Sequence, residues 1–290
     1  MPELLTEAVV TWYDATARDL PWRSPGVTPW AVMVSEFMLQ QTPVSRVLGP
    51  YAAWLERWPT PACLAAEAPG EAVRMWGRLG YPRRALRLRG AAVAITSRHD
   101  GAVPSEVDAL LALPGVGAYT ARAVAAFAFG QRVPVVDTNV RRVVARAVTG
   151  QGEAGPPSTT RDLATVEALL PDVPARAARL SAALMELGAV VCTARAPRCD
   201  GCPVFDQCAW QLAGRPAYDG PVTRTQKFEG TDRQVRGKIM AVVRDAAGPV
   251  QRRRIDTVWH DGAQRDRCLH ALVQDGLLEV VEDDLFALPG

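Results

Sequence analysis

Apolar residues recur at helical rather than strand spacing over most of this chain. Val32, Met33, Phe37 and Leu39 follow the opening Thr28-Pro29-Trp30, and the helix they predict must end before Pro43. Ser105-Glu106-Val107-Asp108 begins a short helix through Leu113, and Gly117 releases a long alanine-rich helix from Ala118 to Phe129. Val140 to Val148 and Arg161 to Leu170 read as two further helices. Convincing strand alternation is missing before residue 240. Gly150 to Ser158 is a Gly/Pro-rich loop, and Gly214 to Val222 reads as a linker. Beyond it, Arg233 to Asp245, Gln251 to Trp259 and Gln264 to Asp275 have helical texture. The apolar runs Leu277 to Val281 and Leu285 to Leu288 can pair as a hairpin. Three helices and a terminal hairpin describe a winged helix, a module used for nucleic-acid or protein contacts. The pattern therefore predicts a mainly α protein with a small α+β module at its C-terminal end, whose role it does not give.

Composition narrows the class only a little. At 290 residues the chain can bury a substantial core in two or three lobes, and 48% hydrophobic with 22% charged residues is ordinary for a globular protein. The N-terminal segment is acidic where a signal peptide would be basic, and no apolar run approaches bilayer length, so a cytoplasmic location is expected. A net charge of +2 does not announce nucleic acid. The arginines cluster, however, at Arg83, Arg84, Arg87 and Arg89, at Arg141, Arg142 and Arg146, and at Arg252 to Arg254. Each cluster alone reads as a solvated helix face; several beside turns or aromatics point to a phosphate partner.

The strongest chemical signal is four cysteines in seventeen residues, Cys192, Cys199, Cys202 and Cys208, spaced C-x6-C-x2-C-x5-C. Such a density calls for a soft metal centre, either zinc or an iron–sulfur cluster. Structural zinc more often uses two C-x2-C knuckles; one pair with wider, unequal gaps favours a 4Fe–4S cluster. Disulfides do not suit a reducing compartment. Cys63 and Cys268 stand alone and read as small buried hydrophobes. A second motif, Leu113-Pro114-Gly115-Val116-Gly117-Ala118-Tyr119-Thr120-Ala121, joins two helices by a tight turn. Its glycines permit positive φ and close backbone approach, and the amides opening the next helix can hold a phosphate without a basic side chain. An ordinary helix–loop–helix turn is the plainer reading of the same residues.

The hairpin, then Val136-Asp137-Thr138-Asn139-Val140-Arg141-Arg142, then the four cysteines, resembles the endonuclease III superfamily of DNA base-excision glycosylases over about residues 14–210. That resemblance implies two helical lobes: a six-helix barrel over 20–132 carrying the hairpin, and a cluster lobe of 1–19 with 133–213. A linker over 214–226 and a winged-helix-like module over 227–290 follow. It implies one 4Fe–4S cluster on the four cysteines and a duplex whose target nucleotide is flipped out. Bifunctional members carry lysine where this chain has Tyr119, and a phenol cannot form the Schiff base that cuts the strand. Leu20-Pro21-Trp22-Arg23 and Val34-Ser35-Glu36-Phe37-Met38-Leu39-Gln40-Gln41-Thr42 are similar to the signature segments of the MutY-type branch, which releases adenine opposite 8-oxoguanine.

Adenine leaves readily only after a ring nitrogen is protonated, so an acid that stays neutral near neutral pH is required. Glu36, among Met33, Phe37 and Leu39, is placed for that by desolvation, although an arbitrary helical glutamate faces water. Asp137 follows an apolar run and precedes a helix, so capping amides can keep it ionised. One neutral acid with one anion is the arrangement of retaining glycoside hydrolysis. The resemblance further implies that Asn139 orients carboxylates or water, that Tyr119 sits beside the sugar, and that Trp22 and Arg23 line the adenine pocket. Gln41 and Tyr81 then wedge into the stack at the opposite base, Gln40 and Thr42 count among the DNA-binding residues, and Leu113, Gly115, Val116 and Gly117 hold the backbone. For Trp22 and Tyr81 a core role is the plainer reading. Two departures stand out: Ala182 replaces a Gln or Glu usual in the pocket, and no Nudix-like domain follows. Activity on both A·8-oxoguanine and A·G pairs, by a monomer at the nucleoid, is the expectation. The alternatives are a thymine glycosylase for G·T pairs and a non-catalytic iron–sulfur DNA-binding protein.

Overall fold

The computed structural model describes residues 2–220 and 228–290, so residues 221–226 of the expected linker lie outside the described residues. The helices run in chain order as α1 (Pro2–Thr16), α2 (Pro29–Leu39), α3 (Val44–Arg57), α4 (Pro61–Ala65), α5 (Pro69–Trp76) and α6 (Arg83–Arg98). They continue as α7 (Val107–Leu111), α8 (Ala118–Phe129), α9 (Thr138–Ala147), α10 (Thr159–Glu167), α11 (Pro174–Val190) and α12 (Ala209–Leu212). The C-terminal module comprises α13 (Asp232–Arg244), β1 (Val250–Gln251), α14 (Arg252–Asp256), α15 (Gly262–Gln274), β2 (Glu279–Glu282) and β3 (Leu285–Ala287). Among the described residues no helix is long and apolar enough to cross a membrane.

The chain condenses into two compact units. The first gathers residues 1–32, 105–111 and 117–223; the second gathers 33–104, 112–116 and 224–290. In the first unit, α1, α9 and α11 share a core. Leu5, Val9 and Tyr13 lie four residues apart on α1, Val140, Val143, Val144 and Ala147 form one face of α9, and Leu180, Leu184 and Leu187 one face of α11. These are the stripes that a 3.6-residue period turns toward one partner. In the second unit Trp54, Trp58 and Trp76 pack edge to face, with ring centroids 4.6 and 5.6 Å apart, beside the fully buried Leu64, Leu88 and Ile95.

The module has winged-helix connectivity, with its three strands antiparallel in the order β1-β3-β2. The two-residue β1 is too short to leave an alternating pattern. The second helix is correspondingly shorter than its sequence texture, ending at Asp256 rather than Trp259. Rather than standing apart, the module packs on α5 within the second unit. Arg74 donates to the Ala246 carbonyl at 3.0 Å, Arg244 to that of Gly77 at 2.7 Å, and the Gly70 amide to that of Pro289 at 2.7 Å.

Candidate active site

In the first unit, a chain of polar contacts runs from the start of α9 to the cysteine loop. Asp137 caps α9, accepting from the Val140 amide at 2.7 Å, and its other oxygen accepts from Asn139 Nδ2 at 2.8 Å. Asn139 Oδ1 accepts from Arg142 at 2.8 Å, and since arginine can only donate, this contact fixes the amide so that its NH2 faces Asp137. Arg142 also donates to the Gly188 carbonyl and, through Nε, to the carbonyl of Cys192, both at 2.7 Å. The close approach of α9 to α11 requires glycine at 188, because a Cβ there would lie 2.7 Å from that of Asn139. Burial pushes the Asp137 carboxyl above its ordinary range; the Val140 and Asn139 donors and the Arg142 charge oppose that shift. The capping expected from sequence is present, and the burial that works against it was not read there. Tyr119 is half-buried and packs with Ala123, Ala126 and Val135.

The same unit holds an acid that the sequence reading missed. Glu186, on α11 one turn after Ala182, is 1% exposed and takes both Arg18 (2.6 Å) and Arg23 (2.9 Å). Burial alone would raise its pKa, but the two guanidinium groups overturn that and hold the carboxyl at about 2. Arg23 is thus fixed in place, with its guanidinium 5.4 Å from the Tyr13 ring centroid. Trp22 beside it is buried, at 8% exposed. A glutamate inside an apolar run, Leu184-Met185-Glu186-Leu187, was the one available signal, since a buried acid demands cations from elsewhere.

The second unit carries the remaining candidates except Gly117, which falls in the first. Glu36 is 5% exposed on α2, among the buried Met33, Val34 and Phe37. Where α2 ends, the buried Arg84 donates to the carbonyls of Phe37 (2.9 Å), Met38 (3.3 Å) and Gln40, to Thr42 Oγ1 (3.1 Å) and to the Gly80 carbonyl (3.0 Å). It therefore satisfies the orphan carbonyls of a helix end and ties the 40–42 turn to the 80–81 turn. Burial lowers its pKa to about 10, while Tyr81 opposes that shift. Both expected wedges, Gln41 at φ 56° and Tyr81 at φ 48°, lie in the left-handed region that few side chains adopt, and both are exposed. The hairpin turn has Leu113 and Val116 buried and Gly115 at φ 76°, where a Cβ would lie 2.4 Å from that of Arg87. Gly117 opens α8 as its N-cap in extended conformation.

The arginine clusters turn out to serve mainly the fold rather than phosphate. Besides Arg84 and Arg142, Arg89 donates to the Glu67 carbonyl, Arg141 pairs with Asp162 at 2.7 Å, and Arg146, 4% exposed, donates to the Thr193 carbonyl. Arg195 and Arg198 on the cysteine loop do face solvent. Cys268 is buried as expected, but Cys63 is exposed at the start of α4, where it accepts from the Thr60 hydroxyl at 3.2 Å. Its helix is one turn long and turns that position outward.

Cys192, Cys199, Cys202 and Cys208 form no disulfide, and Cys202 lies within electrostatic reach of the other three. Burial raises Cys202 to about 11 and also raises Cys192, which Arg146 opposes from 3.5 Å. Among the described residues no three His, Cys, Asp or Glu side chains are gathered as a single-ion site. Four sulfurs within electrostatic reach of one another are the soft donors an iron–sulfur cluster takes.

Residues 34–167 match the HhH-GPD superfamily of base excision DNA repair proteins, and residues 192–208 match the iron–sulfur binding domain of endonuclease III. The chain is 59% identical over 284 residues to the adenine DNA glycosylase of Mycolicibacterium smegmatis, covering 97% of this chain and 95% of the relative. It is 54% identical over 303 residues to that of Mycobacterium tuberculosis, covering 100% and 99%. Among solved structures, that of a thermostable thymine-DNA glycosylase superposes with a TM-score of 0.66 at 26% identity, covering 73% of this chain and 97% of that one.

Proposed function

The chain belongs to the adenine DNA glycosylases of the helix–hairpin–helix base-excision repair superfamily, and on that premise we propose how its residues divide the reaction. The enzyme hydrolyses the N-glycosidic bond of adenine in DNA and carries one 4Fe–4S cluster in its 192–208 segment. Glu36 is the general acid: it gives its proton to adenine N7 as the C1′–N9 bond breaks. Asp137 is the anion that stabilises the oxocarbenium or captures it covalently until water attacks C1′. Asn139 and Arg142 hold Asp137 in place, Tyr119 stands by the sugar, and Trp22 with the Glu186-anchored Arg23 lines the adenine pocket.

Gln41 and Tyr81 wedge at the opposite base with Gln40 and Thr42 among the DNA-binding residues around them, and the 113–117 turn takes a phosphate on its amides. The four cysteines would ligate the cluster, whose positive iron would offset the charge of their thiolates and brace the loop bearing Arg195 and Arg198. We assign the substrate as duplex DNA with A·8-oxoguanine or A·G, acted on by a monomer at the nucleoid. The barrel lobe 20–132, the cluster lobe of 1–19 with 133–213, and the C-terminal module are its working parts.

The observation that carries this reading is the burial of Glu36 in one unit and the Asp137–Asn139–Arg142 chain in the other. Single-turnover incubation with duplexes holding A·8-oxoguanine, A·G and G·T tests it. Adenine release that Glu36→Gln reduces by about 10²–10⁴-fold supports it, a range set by general acid catalysis. Thymine release, or borohydride trapping of a Schiff base, would overturn it.

A further inference from the structure

The C-terminal module has a winged-helix topology, and such modules ordinarily read DNA with the last helix before the wing. Here that helix, α15, is electrostatically occupied by the module itself. Arg267 pairs with Asp232 at 3.0 Å, Arg265 with Asp256 at 3.1 Å and Asp266 at 3.3 Å, and the neighbouring Arg252 also binds Asp256 and Asp266. A guanidinium already held by a carboxylate gains little from a phosphate, because the pair must first be broken.

Arg233, in the first turn of α13, is different. Among the described residues no carboxylate partners it, although it is exposed. Its Nη1 donates to the Tyr81 hydroxyl at 3.0 Å. Its guanidinium also lies 5.7 Å from the Tyr81 ring centroid and 5.0 Å from that of Phe228. Tyr81 is 45% exposed and Phe228 50%, so cation and rings form an open array in which, among the described residues, the remaining guanidinium donors take no partner. Exposed aromatics alternating with an arginine are what a nucleic-acid strand stacks and pairs upon.

We propose that the C-terminal module binds duplex DNA through Arg233 rather than through α15, lending a backbone-gripping cation to the Tyr81 turn. This inference rests on the reading of Tyr81 as a wedge beside the guanine-type base. The strand gripped is therefore the one opposite the adenine. Phe228 holds the guanidinium plane, leaving its free edge for a phosphate.

The test measures binding of the full chain, cluster intact, to a duplex holding 2′-fluoro-2′-deoxyadenosine opposite 8-oxoguanine, which resists cleavage, at several salt concentrations. Arg233→Ala should weaken binding about tenfold and lower the slope of log affinity against log salt by about 0.9, the loss of one phosphate contact. Arg233→Lys should restore the slope. Arg267→Ala should bind within about twofold of wild type, and the melting temperatures of the Arg233 variants should match it because the side chain is exposed. An unchanged salt slope in Arg233→Ala, or an equal loss in Arg267→Ala, would overturn the proposal. Failure of the wild-type chain to release adenine counts against the catalytic assignment alone, since this contact is read from binding.

Discussion

Arg84 and Arg142 lie in different compact units, and each spends its guanidinium on backbone carbonyls. Arg84 is buried and closes a helix end, holding three carbonyls of the 37–40 stretch, Thr42 and Gly80. Arg142 is only half-buried and joins three things of different kinds: a side-chain amide, the α11 carbonyl of Gly188 and the carbonyl of Cys192. The first is a brace whose contacts include the buried ones to the Phe37 and Met38 carbonyls. The second is a relay whose removal leaves groups that water can partly serve, while the carboxylate it steadies loses its orientation. Similar chemistry therefore predicts a stability defect in one unit and a rate defect in the other.

Arg84→Ala is the largest break of that comparison. Leaving several buried acceptors without a donor costs about 3 kcal/mol or more, which calorimetry or urea denaturation would register directly. Arg142→Ala is the counterpart, with adenine release falling about a hundredfold in single turnover through misorientation of Asp137 by Asn139. Its stability loss is expected nearer 1 kcal/mol. If Arg142→Ala instead unfolds the protein at unchanged rate per folded molecule, the contrast fails. Chelating the iron should act on the first unit, loosening α9 and α11 in hydrogen exchange while the tryptophan core of α3 and α5 keeps its protection.

Acid sharpens the comparison with a third pair. Glu186 is held at about 2 against an ordinary 4.5, so its contribution to stability is complete above pH 4.5. That contribution is lost as pH falls from 4.5 toward 2. Melting temperature in that window should therefore drop less steeply in Glu186→Gln than in wild type. Asp137 has the opposite sign: its pKa is raised in the folded state, so protonation relieves it and it cannot cause the acid loss. The smallest effect is expected at Gln41. Gln41→Gly should stabilise the fold by about 0.5–1 kcal/mol by removing left-handed strain, while weakening duplex binding.

Local chemistry made much of this site legible before any fold was known. The spacing of four cysteines, the Pro-Gly-Val-Gly turn and the capping position of Asp137 are all short-range patterns, and short-range patterns survive in a linear string. What stayed hidden depends on distant partners. Arg18 and Glu186 are 168 residues apart, and Arg84 meets residues 42 to 47 positions away. In the string the clustered arginines looked like basic patches; folded, half of them close on carbonyls. The exposure of Cys63 and the two-residue β1 were missed for a simpler reason, since neither a single helical turn nor a two-residue strand has a period.

The grip of Arg84 on the end of α2 has a kinetic consequence. Gln41 and Tyr81 are bent into their unusual backbone states while the protein is still alone in solution, so their ordering is completed during folding rather than at the moment of contact. Encounter with a duplex then need not wait for either turn to form. On the proposed role of the two side chains as wedges, scanning along undamaged DNA would then proceed without a loop-closure step.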